Sequence, residues 1–569
     1  MDDDKGENSS KSAVVMINTS QKITSSVLRW YRYYFSMPKI CILIECVLIG
    51  NAIVEAAVLS LLMSYLRDEW DKKLFVAAAT VNVSEGMSGL LCIPATYFKE
   101  RYGCYTTLVL SSMFYIVGLV ILGTVAFVGG VLYTALVLLV LGKALSSSSC
   151  VEDFLEDQLK AQSNEEDEKR DNVRVKISLA KCQIIGDIVG NVLLAVVNDW
   201  ECHFNISASI QSFTLVLFFI GTPLYFIGRI RSLVHMVYFY FRRLFDKTTL
   251  RSSSDHQVVI KEQGTKSSSL ILMISSMAPI CFTFLMCGIV NSIGSTYFLE
   301  QGSTMYRGLG GDHKKDNNPP GIINDTLEEV PVTILQIVKQ LSCFSSKYLI
   351  YRILSKRLRG TRATLIRIGV GMIFSVGVCS IARAVEAKRL DVVVREDHLL
   401  DNPKKVVPMS IFWLLPQFIC LGAMNGLAGD GLEDFFQDEL PNSMKSYASA
   451  FTQALTAVGT LLSVILVFIM KKLSKLGGRP GWFAATNINR SRLDRVYRTL
   501  TVFAILNVLL FAYVSTSYIR NKLSSTKNYT REDISLFDES KMKIVIEVEP
   551  EEEEEEEPEI EGEDGPNIA

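Results

Sequence analysis

Glu55, Glu85, Lys143, Lys181, Asp187 and Lys339 each stand inside a long apolar run, and that placement limits what they can do. An ionised side chain in hydrocarbon is costly, so such residues line a water-filled cavity, pair with one another, or reach towards the interface. The chemistry open to them is proton exchange and recognition of a charged solute. Glu45 joins them near the start of the first run. Glu55, Glu85 and Lys339 lie nearer mid-run, where cavity lining is the expected role. For Glu45, Lys143 and Asp187 a structural pair between helices is an equal alternative.

Other chemistries are missing from the chain. The five histidines, His203, His235, His256, His313 and His398, lie in loops or at helix ends, so no imidazole relay sits mid-run. The twelve cysteines show no CxxC or disulfide-like spacing, and most fall in apolar runs as small packing residues. Nothing resembles a phosphate loop. We expect no metal site, no cofactor, no enzyme activity and no nucleic-acid partner.

Twelve apolar stretches carry these residues, in two sets of six: near 40–66, 74–98, 106–129, 131–153, 176–198, 206–228, 268–290, 331–353, 365–386, 409–429, 446–470 and 498–519. About 20 apolar residues, rising 1.5 Å each as a helix, cross roughly 30 Å of hydrocarbon. Only helices serve, because lipid offers no partner for a stray backbone group. The fold class is therefore an all-α membrane protein with twelve transmembrane helices in two six-helix bundles. The chain is 49% hydrophobic and 21% charged, with mean hydropathy +0.26, so charge must be segregated into loops and tails.

The organisation follows: an N-terminal tail over 1–39, a first bundle over 40–228, a linker over 229–267, a second bundle over 268–519, and an acidic tail over 520–569 containing Glu551 to Glu557. The linker opens with basic, aromatic-rich RIRSLVHMVYFYFRRLF, which suits a helix on the lipid surface, and continues as a polar, flexible stretch. The acidic run reads as a solvated, disordered segment, with a cytoplasmic partner as the sharper option. Arg352, Lys356, Arg357, Arg359, Arg362 and Arg367 after the eighth stretch place that loop in the cytoplasm, and an even count puts both termini there. The basic loop before the twelfth stretch, from Lys471 to Arg495, opposes this orientation. A sequon at Asn324–Thr326 falls on the outer side and agrees with it. The plasma membrane is the expected location, with the tonoplast as alternative.

Long blocks resemble the plant nitrate/peptide transporters, a branch of the proton-dependent oligopeptide transporter family within the major facilitator superfamily. They are STYFLEQGSTM (Ser295–Met305), RIGVGMIFSV with VEAKRL (Arg367–Val376, Val385–Leu390), FWLLPQFICLG and LEDFFQDELPNSMKS (Phe412–Gly422, Leu432–Ser446), and GWFAATNINRSRLDRVY (Gly481–Tyr497). AATVNVSEGMSGLL, CVEDFLEDQL and LFFIGTPLY fit more loosely in the first half. The resemblance implies a central cavity that opens alternately to each side.

The departures are as informative. The family's Glu-x-x-Glu-Arg motif on the first span falls at Leu48, Asn51 and Ala52, and its fourth-span lysine at Ser148, so the proton-coupling positions are degenerate on both sides together. Either charge left alone would cost several kcal/mol. The carboxylate that holds a peptide's amino terminus in relatives aligns with Asn425, which makes peptide transport less expected. In the loop after the second span, Lys99, Gly103 and Cys104 replace the usual residues, so the gating contact there is weakened or re-formed. Pro416 is expected to kink the tenth span beside the cavity, where Gly422 and Gly426 suit close helix contact.

We expect a relocated set, Glu55 and Glu85 with Lys143 or Lys181, to replace the lost network. A nitrate-like anion would meet Lys339, Lys181 or Lys143, or amide donors such as Asn51, Asn291, Gln301 and Asn425. The leading reading is a secondary transporter of a small anion or organic solute, by facilitated diffusion, efflux or proton symport. The competing reading is a non-transporting membrane receptor or scaffold that keeps the fold.

Overall fold

The computed structural model describes residues 39–56, 62–124, 129–146, 148–160, 168–197, 199–224, 256–308, 332–354, 360–396, 399, 406–475, 481–483 and 488–546. The N-terminal tail, the basic aromatic stretch of the linker, the sequon and the Glu551–Glu557 run lie outside them. By contact density the chain divides into two units, Met1–Ala512 and Tyr513–Ala569.

The described residues are nearly all helical. The first half holds α1 (Lys39–Val54), α2 (Leu62–Asp68), α3 (Leu74–Tyr102), α4 (Cys104–Thr124), α5 (Gly129–Leu145), α6 (Ser148–Lys160), α7 (Glu168–Val196) and α8 (Trp200–Gly221). The second half holds α9 (His256–Ser303), α10 (Ile334–Leu354), α11 (Thr361–Arg395), α12 (Leu415–Met424), α13 (Asp430–Glu439), α14 (Ala448–Leu473) and α15 (Leu493–Ile546). A short parallel pair, β1 (Met305–Tyr306) with β2 (Val407–Ser410), sets Met305 opposite Val407.

Each of the twelve expected spans holds helix among its described residues. Among the described residues, eight helices are long and apolar enough to cross a bilayer, and α1 and α5 supply shorter apolar segments. The two that fall short are α7 and α10, the helices that carry Asp187 and Lys339. Their polarity serves an interior surface rather than lipid. Elsewhere large apolar side chains face outwards, such as Phe213 and Ile220 of α8 at 64% and 62% exposed and Leu509 of α15 at 63%. In water such a surface would mark an interface; around a membrane protein it is the lipid face.

Helices pack within each half as α1 on α7, α4 on α5 and α8, α9 on α14, and α12 on α10 and α11. The halves meet where α3 lies along α14 and α7 along α10. Only Gly103 separates α3 from α4, and its φ of +87° is a conformation that a side chain would strain. Asp199 caps α8, accepting from the Cys202 N–H at 3.0 Å.

Several elements differ from expectation. In the fourth span α5 ends at Leu145, Ser146 is a turn and α6 begins at Ser148. Pro416 stands in the first turn of α12, where no helical N–H is lost, so it starts the helix instead of kinking it. The tenth span is distorted further on, in a π-wide turn over Asn425–Gly429. Helix α9 begins at His256, within the segment expected to be a flexible linker, and α15 runs to Ile546, past the expected start of the tail. Extending an existing helix needs no new nucleation, so polar flanks follow an apolar core.

Gly422 fixes where α10 lies: a Cβ there would overlap the Lys339 carbonyl oxygen and stand 2.8 Å from Ser342 Cβ. The Ser342 hydroxyl donates to the Ile419 carbonyl at 2.7 Å across the same seam. Gly422→Ala should therefore lower stability by about 1–3 kcal/mol through overpacking, read as a fall in Tm of the detergent-solubilised protein. An unchanged Tm would show that α10 is not held there.

Candidate functional site

A cavity of about 170 Å³ lies where the two halves meet, and its walls are polar. The first half contributes Glu55 just past the end of α1, Glu85 of α3, Lys143 of α5, and Gln183, Asp187 and Asn191 of α7. The second half contributes Gln336, Lys339 and Gln340, all from α10. Residues three and four apart share a helix face, so α7 and α10 each present one polar stripe.

The charges are fixed unequally. Lys143 Nζ donates to both oxygens of Glu85, at 2.7 and 2.8 Å. The buried Tyr115 hydroxyl reaches Glu55 Oε1 at 3.4 Å and Ser146 Oγ at 3.3 Å, tying α4 to α1 and to the end of α5. Asp187 Oδ1 accepts from Gln183 Nε2 at 3.3 Å, one turn away on α7. Lys339 Nζ makes no hydrogen bond or ion pair with any described residue, and half-buried, it opens onto the cavity. No described group of three or more His, Cys, Asp or Glu residues is placed to hold a metal ion.

The other expected site residues are elsewhere. Lys181 bonds both oxygens of Glu45 at 2.8 Å, and the Ser178 hydroxyl donates to the same carboxylate, so that set is an interhelical pair away from the cavity. Of the two lysines expected beside Glu85, the structure brings Lys143 there. Leu48 packs against the apolar cluster of Cys41, Ile44 and Val47. Asn51 is buried and accepts from Gln211 Nε2 at 2.7 Å. Ala52 is buried against Gly186 of α7, and Ser148 opens α6. Asn425 Nδ2 donates to Asn291 Oδ1 at 2.8 Å, joining the tenth span to α9. Gln301 is fully buried, and neither end of its amide has a partner among the described residues.

Both ends of the interface between the halves are bridged by polar contacts. At one end Arg67 of α2 pairs with Glu300 of α9 at 2.9 Å. At the other, Glu100 of α3 accepts from Ser446 at 2.6 Å and from Tyr447 at 2.7 Å. Within the first half, Lys99 of α3 pairs with Asp153 of α6 at 2.8 Å. Lys347 and Arg367 converge on Asp430, and Arg367 also on Asp434, linking α10, α11 and α13. Arg67, Glu300, Gln183, Asn191, Gln336 and Gln340 escaped the sequence reading. The amides repeat at helical spacing beside an ionisable residue, a signal that could have found them. The Arg67–Glu300 pair left no such trace.

Residues 105–487 match the POT family. The Arabidopsis thaliana protein NRT1/PTR family 5.13 is 26% identical over 525 residues, covering 81% of this chain and 90% of that one. Among solved structures, an auto-inhibited POT family peptide transporter matches with TM-score 0.58 at 14% identity, over 84% of this chain and 97% of its own. A POT family transporter in complex with 5-aminolevulinic acid matches with TM-score 0.58 at 11% identity, over 85% of this chain and 97% of its own. The helical architecture is thus that of the major facilitator type, and the protein is a multi-pass membrane protein. With two-thirds of its length matched in one continuous block, the chain belongs to the POT family of membrane transporters.

Proposed function

We propose that this protein is a secondary transporter that moves a small solute by alternating access, with its proton-binding charges displaced about one helical turn from the family's usual positions. The observation that carries this is the polar cavity walled by both halves and bridged at both ends. Glu55 lies four residues after Asn51, and Lys143 five before Ser148, so both partners of the lost network have counterparts displaced in the same sense across the membrane.

Charge supports proton symport over simple diffusion. With every group ionised, Glu55, Glu85 and Asp187 outweigh Lys143 and Lys339 by one negative charge. Reorienting a net charge in a low-dielectric interior costs several kcal/mol, and one bound proton removes it. The volume favours a small cargo: about 170 Å³ is below the roughly 300–1,000 Å³ of sites for drug-sized ligands. The basic loop after α10 supports a cytoplasmic placement of both termini.

Tracer flux in proteoliposomes tests this reading, with nitrate, alanine, a dipeptide and a plant hormone, each with and without a pH gradient. Saturable uptake of at least one small solute, accelerated by an inward proton gradient, is expected. Saturable flux indifferent to the gradient would overturn the coupling, and absence of flux for every solute would overturn transport.

A further inference from the structure

We infer that the first half carries a second binding site, a ring-lined pocket for an organic cation of the trimethylammonium class, where the turn after α2 meets the start of α8. It is separate from the cavity between the halves, and it stands whether or not the transporter reading does.

A cavity of about 260 Å³ lies there, larger than the one between the halves. Tyr65 of α2 and Phe204 of α8 form its dry floor, each 2% exposed, and Trp200 packs on both. The rings cross: Tyr65 stands edge-on to Phe204 at 5.0 Å and 89°, and to Trp200 at 5.4 Å and 60°. Trp70, in the turn after α2, adds a second indole to the wall. Aromatic faces attract a cation electrostatically, and walls of several rings are a recurring way of holding a quaternary ammonium.

The charges point the same way. Three carboxylates line the cavity, Glu69, Asp199 and Glu201, and no described basic residue does. Asp199 is spent on capping α8, where it accepts from the Cys202 N–H at 3.0 Å. Glu69 and Glu201 are exposed and form no ion pair or side-chain hydrogen bond with a described residue. Arg67, two residues before Glu69, is held by Glu300. Lys72 brings its ammonium 5.6 Å from the centre of the Trp70 ring without lining the cavity. That indole therefore already serves a cation, but one positive charge does not answer two carboxylates.

The alternatives fit less well. An anion is opposed by every charge on the wall, and a neutral solute leaves Glu69 and Glu201 unanswered. A bare metal ion finds no described group of three or more His, Cys, Asp or Glu residues placed to hold it. Size agrees: about 150 Å³ takes benzene, so this volume takes roughly ten heavy atoms, and choline has about seven. The same ammonium occurs free and at the end of a phosphatidylcholine headgroup, and the experiment separates the two.

The test uses the full-length protein in dodecylmaltoside micelles, which carry no ammonium, with calorimetric titration of choline and tetramethylammonium. Both should bind saturably. Neohexyl alcohol, the uncharged carbon isostere of choline, should bind about 10-fold less tightly, the scale of a desolvated cation–π contact. Glu69→Gln and Glu201→Gln should each weaken choline about 3-fold, since solvent screens exposed carboxylates, and leave neohexyl alcohol unchanged. Trp70→Ala should weaken choline about 10-fold, and Trp70→Phe should keep most of the affinity. Because Trp70 lies in a turn, its loss spares the packed trio of Tyr65, Trp200 and Phe204. Dihexanoylphosphatidylcholine that displaces labelled choline at a lower concentration than choline itself would assign the pocket to lipid headgroups. Displacement only at a higher concentration would assign it to the free cation, and either result supports the site. Equal affinity for choline and neohexyl alcohol would overturn it. So would choline affinity unchanged in both Glu69→Gln/Glu201→Gln and Trp70→Ala, or no binding of any probe.

Discussion

Lys143→Gln should reduce gradient-driven uptake by two to three orders of magnitude while the protein still inserts and folds. In the intact protein the Lys143 ammonium lies 2.7 and 2.8 Å from the two Glu85 oxygens. Both side chains are only partly exposed, at 27% and 35%. Removing one member of a buried pair costs about 3–5 kcal/mol, because the remaining charge is left uncompensated. Here the residual charge is worse than single, since Glu55 and Asp187 line the same cavity and only Lys339 would oppose three carboxylates. Such a site must bind protons in its resting state, so it cannot use them to sense a gradient. The double variant Lys143→Gln/Glu85→Gln removes the pair as a unit, and its Tm should return to within a few degrees of the parent. Its flux should then run at one rate with or without the gradient. Full gradient-driven uptake by Lys143→Gln would show that the displaced pair has no part in coupling.

That pair also shows how far the sequence could be read. An acid or base inside an apolar run is visible at once, because the cost of a charge in lipid depends on the run and not on the fold. Which base meets which acid is a matter of helix rotation and packing, and there Lys143 and Lys181 looked alike. The structure separates them through neighbours far away in sequence: Glu85 lies 58 residues from Lys143, and Glu45 lies 136 from Lys181. The same limit explains Pro416, whose effect depends on where its helix starts. It explains the Arg67–Glu300 pair too, since its members join helix ends from opposite halves. The architecture, by contrast, was legible from run lengths alone, because spanning a fixed thickness leaves one solution for each run.

An arginine at the position that the family resemblance aligns with one should be the most damaging single change in the first half: Ala52→Arg should destabilise the protein by more than about 4 kcal/mol and abolish monodisperse material in detergent. Ala52 is 3% exposed and sits where α1 and α7 approach closely enough that a side chain at Gly186 would overlap its methyl group. One residue earlier, Asn51 accepts from Gln211 at 2.7 Å. Before that, a Cβ at Gly50 would stand 2.6 Å from the Thr214 hydroxyl. Three consecutive residues of α1 thus form a closed seam against α7 and α8, with no volume for a guanidinium. The strain of inserting so large a side chain adds to the cost of desolvating its charge, and the strain cannot be relieved without moving a helix. Adding Asn51→Glu and Ser148→Lys should not rescue the variant, because the obstruction is the Gly186 backbone and not a missing partner. Ala52→Ser, of nearly the same volume, should cost less than about 1.5 kcal/mol. A well-folded Ala52→Arg protein with an unchanged Tm would mean that the seam opens readily. Packing at this position would then not be what bars the family's arginine, and the proposed displacement of charge to Glu55, Glu85 and Lys143 would need another cause.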